Sequence, residues 1–126
     1  MRKLSIILAL FLSFQVVAQK NEATGTASYY HHKFHGRKTA TGEKFDINGM
    51  TAASNSMPLG TLVKVTNLKN GNSVVVKIND RMNAKNKRLI DLSYQAAKEL
   101  DFINSGTCKV KVEKITQTQH ETDTNE

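Results

Sequence analysis

From Ser73 to Arg81 the chain alternates. Val74, Val76 and Ile78 fall on one face of an extended segment, and Val75, Lys77 and Asn79 on the other, as the two-residue period of a β-strand requires. Asp80 closes the first set. A carboxylate in phase with core residues is costly to bury unless it is paired or used, so Asp80 is the lead candidate for chemistry. The run from Thr61 to Leu68 alternates in the same way, and Asn70-Gly71 lies between the two. That dipeptide suits a type I′ turn, whose two central residues need positive φ. Pairing Lys69 with Asn72 then sets Asn67 against Val74, Val65 against Val76, Val63 against Ile78 and Thr61 against Asp80. The apolar faces coincide, and a slip of one residue would turn one set to solvent. The register places Asp80 near Met57-Pro58-Leu59-Gly60.

The same alternation appears in Thr107 to Ile115, where Cys108, Val110 and Val112 share a face. Gly25 to Tyr30 predicts a first strand, and Leu89-Ile90-Asp91-Leu92 a short buried one. Tyr94, Ala97 and Leu100 recur at helical spacing behind Ser93, a good N-cap. Phe34 to Met50 keeps no period and predicts a long loop, the kind of segment that often carries function. It holds two acids, Glu43 and Asp46. Thr116 to Glu126 has no apolar residue and is expected to be disordered. Short strands with one helix predict a mainly β domain, and a closed sheet would spare it exposed edges.

The N-terminus changes the picture of where this domain works. Met1-Arg2-Lys3 precedes a mostly apolar run from Leu4 to Val17, and Val16-Val17-Ala18 suits a small-residue cleavage site. The pattern is that of a secretory signal peptide, too short for an ordinary membrane span. Cleavage after Ala18 would leave 108 residues, with residues 19–24 as linker and 25–115 as one domain, secreted to the periplasm or cell envelope. No cysteine stands near the cleavage site, so a lipid anchor is not expected. Losing Arg2 and Lys3 lowers the formal charge from +7 to +5. A basic exported protein suits an anionic cell-wall polymer better than nucleic acid. Cys108 is the single cysteine, so it makes no internal disulfide and reads as a small hydrophobe. His31, His32 and His35 crowd one loop, but no carboxylate or cysteine joins them at a usual ligand spacing. No metal or cofactor is expected.

Several stretches, in order, resemble the rare lipoprotein A (RlpA) family. They are Gly25-Thr26-Ala27-Ser28-Tyr29-Tyr30, Phe34 through Asp46, Leu59-Gly60-Thr61 through Leu68, Ile78-Asn79-Asp80-Arg81 and Ile90-Asp91-Leu92-Ser93. The resemblance implies a six-stranded double-psi β-barrel and an endolytic lytic transglycosylase that cuts peptidoglycan glycan strands, leaving 1,6-anhydromuramic acid ends. In that chemistry one carboxyl group serves twice, first as acid and then as base, and Asp80 takes that place. By resemblance Glu43 and Asp46 line the same groove, and Ser54, Asn79 and Arg81 contact the substrate. Tyr29, Tyr30 and Phe45 offer stacking faces to sugar rings. Ser54 stands where the family has a histidine, and serine cannot act as an imidazole base. This substitution weakens the enzyme reading and leaves an alternative, a non-catalytic glycan-binding barrel with the logic of an expansin. The expected partners are peptidoglycan strands and cell-wall or cell-division proteins, with the chain monomeric.

Overall fold

The structure, a computed structural model, describes residues 21–115. The signal-peptide and tail expectations therefore fall outside the described residues. Six strands run in chain order: β1 (Glu22–Tyr29), β2 (Thr51–Ala53), β3 (Leu62–Asn67), β4 (Ser73–Asp80), β5 (Ile90–Leu92) and β6 (Cys108–Lys114). One short helix, α1 (Tyr94–Glu99), sits between β5 and β6. The strands close into a barrel in the order β1-β5-β2-β4-β3-β6, as expected. The β1–β5 and β2–β4 pairs are parallel, and the other four are antiparallel.

The alternation read from the sequence fills the barrel. Val63, Val65, Val76, Ile78, Ile90, Leu92, Val110 and Val112 are all essentially inaccessible to solvent. The helix closes one side of this core with Ala96, Ala97 and Leu100. Ser93 caps it as predicted, accepting from the Ala96 amide at 3.2 Å, and its hydroxyl donates to the Gly49 carbonyl at 2.6 Å. Gly25 is dictated by packing, because a Cβ there would lie 2.8 Å from the Leu89 Cβ.

Three expectations need correction. Residues 22–24, read as part of a linker, form the first half of β1 and pair with Lys111, Val112 and Glu113 of β6. Small and polar side chains hid a strand whose partner lies at the far end of the chain. The β3–β4 register is also offset: Asn67 bonds across to Asn72, Val65 faces Val74 and Val63 faces Val76. The loop is thus Leu68 to Gly71, closed by the Gly71 amide on the Asn67 carbonyl at 2.8 Å, with Gly71 at φ +81°. The Asn67 side chain decides this. Its oxygen accepts from the Lys69 amide, and its nitrogen donates to the Leu100 carbonyl at the helix end. The offset is two residues, so both apolar faces still point inward.

The third correction concerns Asp80. Ala52 pairs with Ile78, but Ala53 pairs with Asp80, so Asn79 is an extra residue in β4. A bulge of this kind breaks the alternation. Asp80 consequently stands with Ala53 on the outer face of the barrel, part-exposed, rather than beside Ile78 in the core.

Candidate active site

The bulge places Asp80 in a row. Reading across the sheet, Ser28 of β1 pairs with Asp91 of β5, Asp91 pairs with Ala53 of β2, and Ala53 pairs with Asp80 of β4. Ser28, Asp91 and Ala53 each follow a core residue, Ala27, Ile90 and Ala52, and Asp80 follows Ile78 across the bulge. Two loops wall this row, residues 30–46 and 81–88, and together they enclose a groove of about 560 Å³. Asp80, Asp91 and Ala53 line it, with Tyr30, Phe34, Arg37, Arg81, Asn83 and Arg88 among the wall residues.

Asp80 is tightly held. Its Oδ2 accepts from the Tyr30 hydroxyl at 2.7 Å, and its Oδ1 accepts from the Ala40 amide at 3.0 Å and the Arg81 amide at 2.9 Å. Tyr30 is itself fixed by aromatic packing. Its ring stacks on Phe45 with centroids 4.3 Å apart and meets Phe34 edge-on at 6.1 Å. Burial, and then the bond to Asp80, push the Tyr30 phenol well above its ordinary value, so it remains a hydrogen-bond donor. Asp91 is held from both sides. Its Oδ1 accepts from the Ser28 hydroxyl at 2.6 Å and from Arg88 Nε at 2.9 Å, and its Oδ2 from the Arg88 terminal nitrogen at 3.1 Å.

The other residues proposed from the sequence are placed differently. Glu43 does not line the groove. It pairs with Lys77 at 2.9 Å, and the lysine with the Thr41 hydroxyl holds its carboxyl below the usual range. Asp46 does not line it either, because its carboxylate accepts from the Asn48 amide and closes a local turn. Ser54 is fully buried: its hydroxyl bonds the Leu89 carbonyl and accepts from the Ser56 and Met57 amides, so it braces a turn instead of facing sugar. Asn79, the bulge residue, is 3% exposed and lies outside the groove lining. Arg81 does line it, but its guanidinium donates to the Ser54 and Met57 carbonyls and locks that same turn. Phe45 is 2% exposed and supports Tyr30, so it presents no free face. Tyr29 is among the lining residues, yet its hydroxyl is bound to the Ile103 carbonyl and its ring packs on Tyr94 and Phe102.

His31 and His35 each accept a backbone amide, from Lys33 and Ile47 respectively, and shape the loop. Asp91 escaped the sequence reading as a site residue. Its alternation out of phase with Ile90 and Leu92 gives its face, but only the strand pairing sets it beside Ala53 and Asp80.

A family model described as "Lytic transglycolase" matches residues 22–112, from the first residue of β1 to the middle of β6. The chain belongs to the lytic transglycolase family. This lytic transglycolase-family barrel has the double-psi fold that its sequence resemblance implied. It is 51% identical over 102 residues to the endolytic peptidoglycan transglycosylase RlpA of Pseudomonas aeruginosa, covering 81% of this chain and 30% of that protein. It is 51% identical over 92 residues to the protein of the same name from Neisseria meningitidis, covering 73% and 38%. The chain thus spans about a third of the length of the curated relatives it matches. Among solved structures, the lytic transglycolase-family barrel is similar to an expansin of Clavibacter michiganensis. The TM-score is 0.61 at 23% identity, covering 76% of this chain and 51% of that one. A Streptomyces papain inhibitor gives 0.60 at 24% identity, covering 75% and 94%. At such identities the likeness is one of fold.

Proposed function

We propose that this protein is an endolytic lytic transglycosylase that cleaves peptidoglycan glycan strands, with Asp80 as its acid and base. The observation that carries this reading is the seating of Asp80 on the groove floor, fixed by Tyr30, Ala40 and Arg81. The names of its relatives from Pseudomonas aeruginosa and Neisseria meningitidis support the same substrate. In the first step the Asp80 carboxyl gives its proton to the glycosidic oxygen, and the bond from muramic acid C1 breaks with its electron pair leaving on that oxygen. The sugar passes through an oxocarbenium-like state. Its own C6 hydroxyl then bonds to C1, and the Asp80 carboxylate takes the hydroxyl proton. The acid is restored, no water is consumed, and a 1,6-anhydro ring closes. Export to the cell envelope through residues 1–18 fits this substrate.

A second reading is a glycan-binding barrel without catalysis. It is favoured by one specific arrangement: Ser54, in the place of the family histidine, is buried, and Glu43 and Asp46 stand outside the groove. Digesting purified peptidoglycan and analysing the soluble products by mass spectrometry separates the two. New anhydro ends support the transglycosylase. Newly formed reducing ends would make it a hydrolase, and pelleting with peptidoglycan without any release would make it the binder.

A further inference from the structure

We propose that Asp91 is the second carboxylate of this site, facing the sugar from across Ala53 and steadying the positive charge that builds at C1 while Asp80 protonates the leaving oxygen. This assignment rests on the transglycosylase reading above.

The sheet itself brings the two acids together. Ala53 is the paired neighbour of both Asp80 and Asp91. Two strand spacings separate the acids, about 9–10 Å between Cα atoms. Ala53, itself buried, stands between them, and all three line the same groove.

The two acids are prepared for different tasks. Asp80 is held by neutral donors, a phenol and two backbone amides. It has no ion pair among the described residues. Asp91 is bridged by Arg88 through both oxygens and by the Ser28 hydroxyl. These bonds fix the Asp91 carboxylate in place at the edge of the groove. Its Oδ2 has a single described partner and keeps a lone pair for the substrate. Fixed groups aimed at charge that develops in the transition state act without reorganising. The field of Asp91 also reaches the centre, since its charge adds to that of Asp80 in raising the Tyr30 phenol. Neither Glu43 nor Asp46 is among the residues lining the groove.

The test uses the full chain on soluble glycan strands, with kcat and KM measured for wild type, Asp91→Asn and Arg88→Gln, and with thermal melting to establish the folded fraction. Removing one such electrostatic group typically costs about 100- to 1,000-fold in kcat. Asp91→Asn is expected to fall by about that factor with KM little changed. Arg88→Gln, which keeps the carboxylate, is expected to retain far more activity per folded molecule. Equal losses in both variants would make the ion pair a scaffold and overturn the assignment. Asp91→Asn at the wild-type rate would overturn it too, while leaving Asp80 as the acid. Wild type that forms no anhydro product would sink the transglycosylase reading and this role together.

Discussion

On one side of the barrel, β4, β3, β6 and β1 are six to eight residues long and pair antiparallel with one another. On the other, β2 and β5 are three residues each and pair in parallel with β4 and β1. The long wall is regular, and its inward valines alternate without interruption along β3 and β6. The short wall is where regularity stops. The bulge at Asn79 falls in the β2–β4 pairing, and the outward row of Ser28, Asp91, Ala53 and Asp80 crosses there. The difference suggests a division of labour: long strands supply the burial that holds the barrel, and short ones let polar groups sit in register without exposing the core. Substitutions in the outward row and in the buried core should therefore damage different properties.

The largest effect is expected at Asp80. Asp80→Asn keeps the shape but neither gives nor takes the proton, and positioned acid–base groups are worth ~100- to 10,000-fold in rate. Release of anhydro products should fall by that order while the melting curve barely moves. Wild-type release by this variant would remove Asp80 from the chemistry.

Ile78→Ala sits two positions away and should do the reverse. Ile78 is fully buried, and truncating such a side chain costs about 2–5 kcal/mol. Urea unfolding should report a loss in that range, with cleavage per folded molecule largely kept. If activity collapses while stability holds, the division between core and outward row is wrong.

Tyr30 joins the two regions and predicts a smaller effect with a distinct pH signature. Its phenol is raised in the folded chain, whereas unfolded tyrosines titrate near pH ~10. The stability this contributes is complete below about pH 10 and is lost as pH rises beyond it. Tyr30→Phe should therefore show a shallower alkaline decline in melting temperature than wild type. Parallel declines would mean that the hydroxyl does not carry this linkage.

Cys108→Ser should have the smallest effect. The thiol is only part-buried at the start of β6, although burial still pushes it up. Packed against the edge of the core, it is expected to lose about 1 kcal/mol. Cleavage should be unchanged in a standard digestion assay.

How much was legible follows the same division. The long wall announces itself, because Val63, Val65, Val74, Val76, Val110 and Val112 alternate over enough residues to fix a face. The short wall does not. Thr51-Ala52-Ala53 has no contrast between its faces, and a three-residue strand offers no period to read. The β3–β4 register was missed because a side chain, Asn67, outweighed the preference of Asn70-Gly71 for a two-residue turn. Asp80 was singled out from its phase with the core alone. Its alternation marked it, but a bulge invisible in the sequence set its actual face. Glu43, Asp46 and Ser54 fall outside the groove lining, held by near partners that no alternation reveals: Lys77, the Asn48 amide and the Ser56–Met57 turn. Asp91 was overlooked since nothing in one dimension shows that it and Asp80 share a neighbour.

The pairing of β6 with both β1 and β3 bears on how the barrel forms in time. Of the six pairings, only β3–β4 joins strands consecutive in sequence. That hairpin can form early, from local contacts, whereas every other pairing waits on distant residues, and such topologies fold slowly. Until residues 108–114 arrive, β1 and β3 each present an open edge that another chain can extend. When the last strand docks, both edges vanish at once. Closure of the edges that β1 and β3 turn toward β6 is therefore concentrated in a single late event.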